Sequence, residues 1–532
     1  MVQEDSAFGL KRLDADTLVG GQKMKLLKLA DRTVSVLGLL LFGTLTGVSL
    51  FTTVYFRTTY EEVPYQAGDI FPMVLAVCAL LVWLMYGVSA WILKKEEGQE
   101  KRIRILLAAV LLYALAFTVW WVFAAKCIPV GDQASVCKAA EGFQNGDYSM
   151  LTMDSYERYL YIHPHQLGLT ALIELIFAVF GNGNQIAFQL ANCLGVLVCL
   201  YSGYRITRLL TEDRRAWIFY LLLAAACFPL FSYVTFVYGE IPSLACSLAA
   251  VWCFLEYRKH GGAAWFAGCC LGCALACLIR NNSLILLVAF VLVLLVSAAG
   301  ERKLRPVAAA VLLVAVFFGA RFCLHTVYEQ RSGEKINTGA PMILYVAMGM
   351  QEGESAPGWS NGYILHNYWG ESEFDAEAST AMAVQDIETS LEEFAEDPPY
   401  AFRFYLEKFT SQWNDPTYQC FVMTYTNGSA RGPVANSMYD GKLHALMTWF
   451  MNEYQSLVFA GAFLWLLFGF WKKKGLEAQI LLITVIGGFL FHMIWEAKGR
   501  YILPYFVMML PMAAAGLAEL SLRVRNLFAA RA

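Results

Sequence analysis

Long apolar runs separated by short polar breaks dominate the chain. A run of about 20 such residues spans the hydrocarbon core of a bilayer as a helix. Twelve spans are expected, at about 33–56, 70–93, 105–125, 186–204, 216–235, 241–256, 264–279, 284–299, 306–322, 452–470, 477–495 and 502–521. The run Leu167–Phe180 is different, because its 14 residues make roughly 21 Å of helix against a core near 30 Å. It is expected to lie in the membrane interface, with Glu174 on its wetter face.

Basic residues orient the spans. Lys23, Lys25, Lys28 and Arg32, then Lys94-Lys95 with Lys101, Arg102 and Arg104, then Arg205, Arg208, Arg214 and Arg215, and later Lys472-Lys473-Lys474, recur at alternate breaks. The excess of Lys and Arg on cytoplasmic loops places these breaks inside the cell, with both termini. If 167–180 also crossed, the cluster at 205–215 would fall on the wrong side. The resulting organisation is a cytoplasmic arm 1–32, two additional N-terminal transmembrane helices in 33–104, and a core 105–324 containing a first extracytoplasmic loop 126–185. A large extracytoplasmic loop 325–451 and a C-terminal membrane segment 452–532 complete it. The first apolar run itself is expected to direct insertion, since about 30 polar, mixed-charge residues precede it.

With 58% hydrophobic and 16% charged residues, the fold class is an all-α polytopic membrane protein. A net charge of −3 gives no reason to expect a nucleic-acid partner. Nearly all of the 14 cysteines sit inside apolar runs, where they act as small packers. Cys127 and Cys137 bracket Asp132 and are either a disulfide or two free thiols.

Chemistry concentrates outside the spans. Asp132 follows Pro129-Val-Gly at the end of a span, where a carboxylate is held at the membrane surface. It suits a general base taking a proton from an acceptor hydroxyl; the alternative is a helix cap. The same stretch offers Tyr156, Arg158, His163 and His165 for holding a polar substrate. The two histidines flank Pro164 and make a weak metal-ligand set. No metal or cofactor is expected. Arg280, Lys498 and Arg500 fall at the same membrane boundary, with Glu240 and Glu496 as carboxylate partners. Guanidinium groups there suit a phosphate, which they grip with two donors, although snorkelling also explains arginines at span ends.

The order of motifs resembles the GT-C glycosyltransferases. It is similar to the branch holding protein O-mannosyltransferases and lipid A aminoarabinose transferases, and most to bacterial relatives of Gram-positive type. The residues carrying this are Pro129-Val-Gly-Asp132-Gln133 with Ala139-Ala140, His163-Pro164-His165-Gln166, Phe180-Gly181, Tyr238-Gly-Glu240-Ile-Pro242, Arg280-Asn281-Asn282, and Arg500-Tyr501 with Pro504. Many members have Asp-Glu where this chain has Asp132-Gln133, and His-Pro-Pro where it has His-Pro-His. The resemblance implies a GT-C-like bundle with two large extracytoplasmic loops. It implies an enzyme moving a sugar from a polyprenyl-phosphate carrier, reached laterally, to an extracytoplasmic acceptor with inversion. Asp132 would be the base, and Arg500, Arg280 and Lys498 would hold the phosphate. Gln351, Glu352, Trp359, Glu496 and Tyr501 would line the substrate cleft. The rival readings are a lipid-linked sugar transporter or flippase, and a ligase or polymerase using a diphosphate donor.

Overall fold

The computed structural model describes residues 6–153, 155–427, 429–470 and 475–529. The basic block at 472–474 lies outside the described residues. Among the described residues, eight helices are long and apolar enough to cross a membrane, or nine if the bent pair Arg214–Ala225 and Phe228–Thr235 is one span. Each of the twelve expected runs falls on a helix or on that bent pair. The stricter count is lower in part because Ala263–Ile279 is only 17 residues long.

Two boundaries differ from expectation. The first span ends at Phe51, and Thr52–Phe56 turns back on Pro64–Gly68 as an antiparallel hairpin. The β-branched and aromatic residues Thr52-Thr53-Val54-Tyr55-Phe56 suit a half-buried strand. The large segment between spans is also shorter than expected, because one flanking helix continues to Ser332 and the next begins at Lys442. Within it, Asp397 ends the helix Ala376–Glu396 and caps Pro398–Trp413, its carboxylate accepting from the Tyr400 N–H at 3.0 Å. The two prolines fit the first helical turn, where an N–H has no intrahelical partner.

The short helix Leu167–Phe180 forms as expected, but Glu174 does not face water. Its side chain is 7% exposed and accepts from Arg331, from the Tyr328 hydroxyl and from Gln144. This turns its polar position inward, onto the end of the helix Leu304–Ser332. A buried carboxylate is tolerated there because several donors converge on it.

Small residues set the helix spacing, as expected where apolar lipid gives little drive for helices to associate. A Cβ on Gly516 would lie 2.0 Å from the Gly461 carbonyl oxygen, so Leu503–Ala529 and Lys442–Gly469 are in backbone contact. Gly168 is equally constrained: a Cβ there would lie 2.0 Å from the Leu278 carbonyl oxygen. That contact fixes the His163–Gln166 segment against the Arg280 turn. Gly168→Ala is therefore expected to lower stability by about 1–3 kcal/mol through overpacking. Thermal unfolding of the purified chain in detergent checks this, and an unchanged midpoint would contradict it.

Candidate active site

The chain reverses after the helix Gln99–Ala125 through Lys126 and Gly131, both at positive φ, and Asp132 opens the next helix, Asp132–Gln144. An acid in a first helical turn is favoured by the helix dipole, but no side chain caps this start. The Asp132 side chain is 49% exposed and faces a cleft of about 310 Å³. Its neighbour Gln133 is buried and bound to backbone at both ends: Oε1 accepts from the Val237 N–H at 2.9 Å and Nε2 donates to the Met423 carbonyl at 3.4 Å. Gln133 thus ties the Asp132 turn to two distant segments.

Arg500 faces Asp132, with Nη2 3.7 Å from Oδ2. It sits in the single turn Gly499–Tyr501, and its backbone N–H donates to Gln419 Oε1 at 3.1 Å. Gly499 is required there, since a Cβ would lie 2.8 Å from Asp415 Oδ2. Asp415 is fully buried and accepts from the backbone N–H groups of Thr417 and Gln419. Burial outweighs those bonds and raises its carboxyl to about 6. The Arg500 guanidinium lies 5.7, 5.4 and 5.3 Å from the rings of Phe236, Tyr238 and Tyr501. Aromatic faces attract a cation more strongly when both are shielded from water.

Arg280 follows the C-terminal end of Ala263–Ile279, where carbonyls favour a cation. Its Nη1 lies 2.5 Å from Oε1 of Glu240, and the pair is 10% and 1% exposed. Gly239 lets the two segments meet, since a Cβ there would already lie 3.0 Å from the Ile279 carbonyl oxygen. Lys498 Nζ is 3.5 Å from Glu62 Oε2, so the region after the first strand reaches the cleft rim. The Tyr501 hydroxyl donates to Glu496 Oε2 at 2.9 Å.

The cleft is also lined by His163, His165, Tyr159, Gln166, Tyr238 and Tyr345. Gln166 Nε2 donates to the Tyr238 hydroxyl at 2.7 Å, and Tyr238 lies 3.1 Å from the Tyr159 hydroxyl. His163 Nδ1 meets the Tyr345 hydroxyl at 3.2 Å. Burial lowers His165 to about 3, helped by His163, Arg321 and Arg280, and burial also lowers His163. Both rings are thus neutral hydrogen-bonding groups near neutral pH. Tyr345 stacks on Trp495 at 5.1 Å.

Of the residues expected from sequence, Asp132, His163, His165, Arg280, Glu496, Lys498, Arg500 and Tyr501 line one cleft, and Glu240 braces it from beneath. The others sit elsewhere. Tyr156 is 87% exposed beside Trp369, and Arg158 lies over Trp369 and Phe374. Gln351 accepts from Asn361, Glu352 accepts from the Tyr400 hydroxyl, and buried Trp359 donates to Ser411. These groups hold the large loop together. Cys127 and Cys137 are free, and Cys127 Sγ lies 2.8 Å from the Thr424 carbonyl oxygen. Sequence reasoning missed Tyr159, Trp495 and the cleft role of Tyr345, whose signal was only their aromatic type in polar surroundings.

Residues 163–323 match a family model described as dolichyl-phosphate-mannose-protein mannosyltransferase. No curated protein matches the chain. Among solved structures, it is similar to the oligosaccharyltransferase of Archaeoglobus fulgidus in its apo form, at 13% identity and a TM-score of 0.42 over 82% of this chain. It spans about half that protein, 52% of its length. It is also similar to ArnT from Cupriavidus metallidurans bound to undecaprenyl phosphate, at 15% identity and a TM-score of 0.33 over 77% of each chain. The chain is therefore a mostly helical membrane protein whose segment 163–323, less than a third of its length, is similar to the dolichyl-phosphate-mannose-protein mannosyltransferase family.

Proposed function

We propose that the cleft transfers a sugar from a polyprenyl-phosphate carrier to an acceptor hydroxyl on the extracytoplasmic side, with both termini in the cytoplasm. The name of the matched family supports a donor of this class. The observation that carries the reading is the meeting of Asp132 with Arg500 at 3.7 Å in a cleft that also holds Arg280 and Lys498.

The chemistry follows from charge and position. The acceptor oxygen attacks the anomeric carbon, the bond from that carbon to the phosphate oxygen breaks, and the phosphate leaves with the electron pair. Asp132 takes the acceptor's proton. A phosphate monoester dianion is a stable leaving group, so a second carboxylate acting as acid, as in glycoside hydrolysis, is not needed. Arg500 and Arg280, with Lys498 at the rim, stabilise charge as it develops on the leaving oxygen. Attack opposite the departing phosphate inverts the anomeric centre. A flippase would instead place charged groups along a path through mid-bilayer. The groups described here gather where helices end.

Asp132→Asn is expected to leave expression and carrier-phosphate binding intact and to lower transfer by at least about 100-fold, the low end of a general base's contribution. Turnover measured with labelled polyprenyl-phosphate sugar checks it, and near-wild-type turnover would remove Asp132 as the base. Arg500→Gln is expected to weaken binding of the carrier phosphate itself, measured with undecaprenyl phosphate, and unchanged affinity would remove Arg500 as its ligand. The side of the membrane is tested at Asn182, which lies in the turn after Phe180. On a Cys323→Ser background, which removes an exposed native thiol, Asn182→Cys is expected to react with an impermeant thiol reagent from outside. Labelling only from the cytoplasm would reverse the orientation.

A further inference from the structure

Lys408, in the helix Pro398–Trp413, is completely buried. Its Nζ donates to the carbonyl of Gly349. Gly349 lies against the next layer, because a Cβ on it would stand 2.6 Å from the Ile494 carbonyl oxygen. Gly358 closes the same turn at φ +72, and a Cβ there would lie 2.7 Å from Lys408 Cε. The Gly358 carbonyl in turn accepts from the Ala497 N–H at 2.8 Å. Amine, turn and the segment 494–498 therefore form one clamp, and that segment carries Trp495, Glu496 and Lys498 to the cleft.

Packing alone does not call for a cation here, since a methionine would fill much of the same volume. Burying an ammonium costs several kcal/mol unless an opposite charge compensates it. Glu496, 7% exposed and bonded to the Tyr501 hydroxyl, acts on Lys408 through space and favours its charged form, while the direct partner of Nζ is the Gly349 carbonyl. His492, which is buried and stacked on Tyr501 at 5.5 Å, also interacts electrostatically with Lys408.

We propose that Lys408 is a positioning residue for the donor phosphate, holding the 494–498 segment in place and balancing Glu496 beneath Lys498 and Arg500. This rests on the reading that the cleft binds a lipid phosphate. Burial pushes Lys408 down to about 7, with Glu496 opposing the shift. As pH rises through that value the amine loses its proton, one positive charge leaves the clamp behind the cleft, and the field at Glu496 becomes more negative. Donor KM rises in consequence. The proton acceptor Asp132 belongs to another segment, so kcat does not follow the same limb.

The test is donor KM and kcat for the purified full chain, using labelled polyprenyl-phosphate sugar across pH values on both sides of 7. The wild type is expected to show a higher donor KM above pH 7 than below it. Lys408→Met is expected to show the high KM at every pH, and Lys408→Arg, whose charge does not titrate, the low KM at every pH. If Lys408→Met does not assemble, Glu496→Gln serves instead, because loss of the counter-charge moves the KM limb to lower pH. A Lys408→Met profile that follows the wild type, or an unmoved limb in Glu496→Gln, overturns the proposal while leaving wild-type transfer intact. Absence of wild-type transfer removes the donor reading, and the role of Lys408 with it.

Discussion

Two buried guanidinium groups govern the structure around the cleft. Taking a charged group out of water costs several kcal/mol, and a single partner of poor geometry does not recover it. Arg280 is balanced by Glu240 in a close pair that is almost wholly buried. Arg500 has Asp132 at a longer 3.7 Å and three aromatic rings around it. Under the proposed reading the difference is functional. Arg280 is held by a dedicated carboxylate, whereas Arg500 shares its partner with the open cleft, so a phosphate can approach it beside an aspartate that remains exposed.

The cations are held by segments far apart in the chain. The Arg500 backbone hangs on Gln419, and the Asp132 turn hangs on Val237 and Met423 through Gln133. Glycines 239 and 499 sit where a methyl group would push backbone or carboxylate away from the site. The first two spans also contribute: Asn414 Nδ2 donates to the Thr52 carbonyl at 2.8 Å, and Glu62 meets Lys498. The connection between the first two apolar helices thus braces the large loop and the cleft rim.

Much of this was legible because membrane helices carry strong, local signals. Apolar length located the helices, and the short run 167–180 stood apart by length alone. Asp132, Arg280 and Arg500 were readable because a charge at the edge of an apolar run must be balanced or used. What sequence could not supply was direction within polar segments. Glu174 was assigned to water, yet it turns inward to meet Arg331 on a helix that runs past its expected end. Gln351, Glu352 and Trp359 were expected in a substrate cleft, but their partners lie within the large loop itself. Tyr159, Tyr345 and Trp495 enter the cleft only through long-range packing, for which no spacing in the chain gives a sign. The first strand, Thr52–Phe56, was read as the end of the first helix because the apolar run continues into it without a break, while Pro64–Gly68 was read as loop.

The central claim is that the cleft between Asp132 and the two arginines is where a lipid carrier's phosphate resides. The most direct measurement is an electron cryo-microscopy structure of the full chain in a bilayer disc with undecaprenyl phosphate bound. The account places the phosphate on Arg500 and Arg280, with the Asp132 carboxylate facing the open side of the cleft. A phosphate found instead in the separate cleft lined by Arg205, Arg208 and Glu256, with the Asp132 cleft empty, would contradict it.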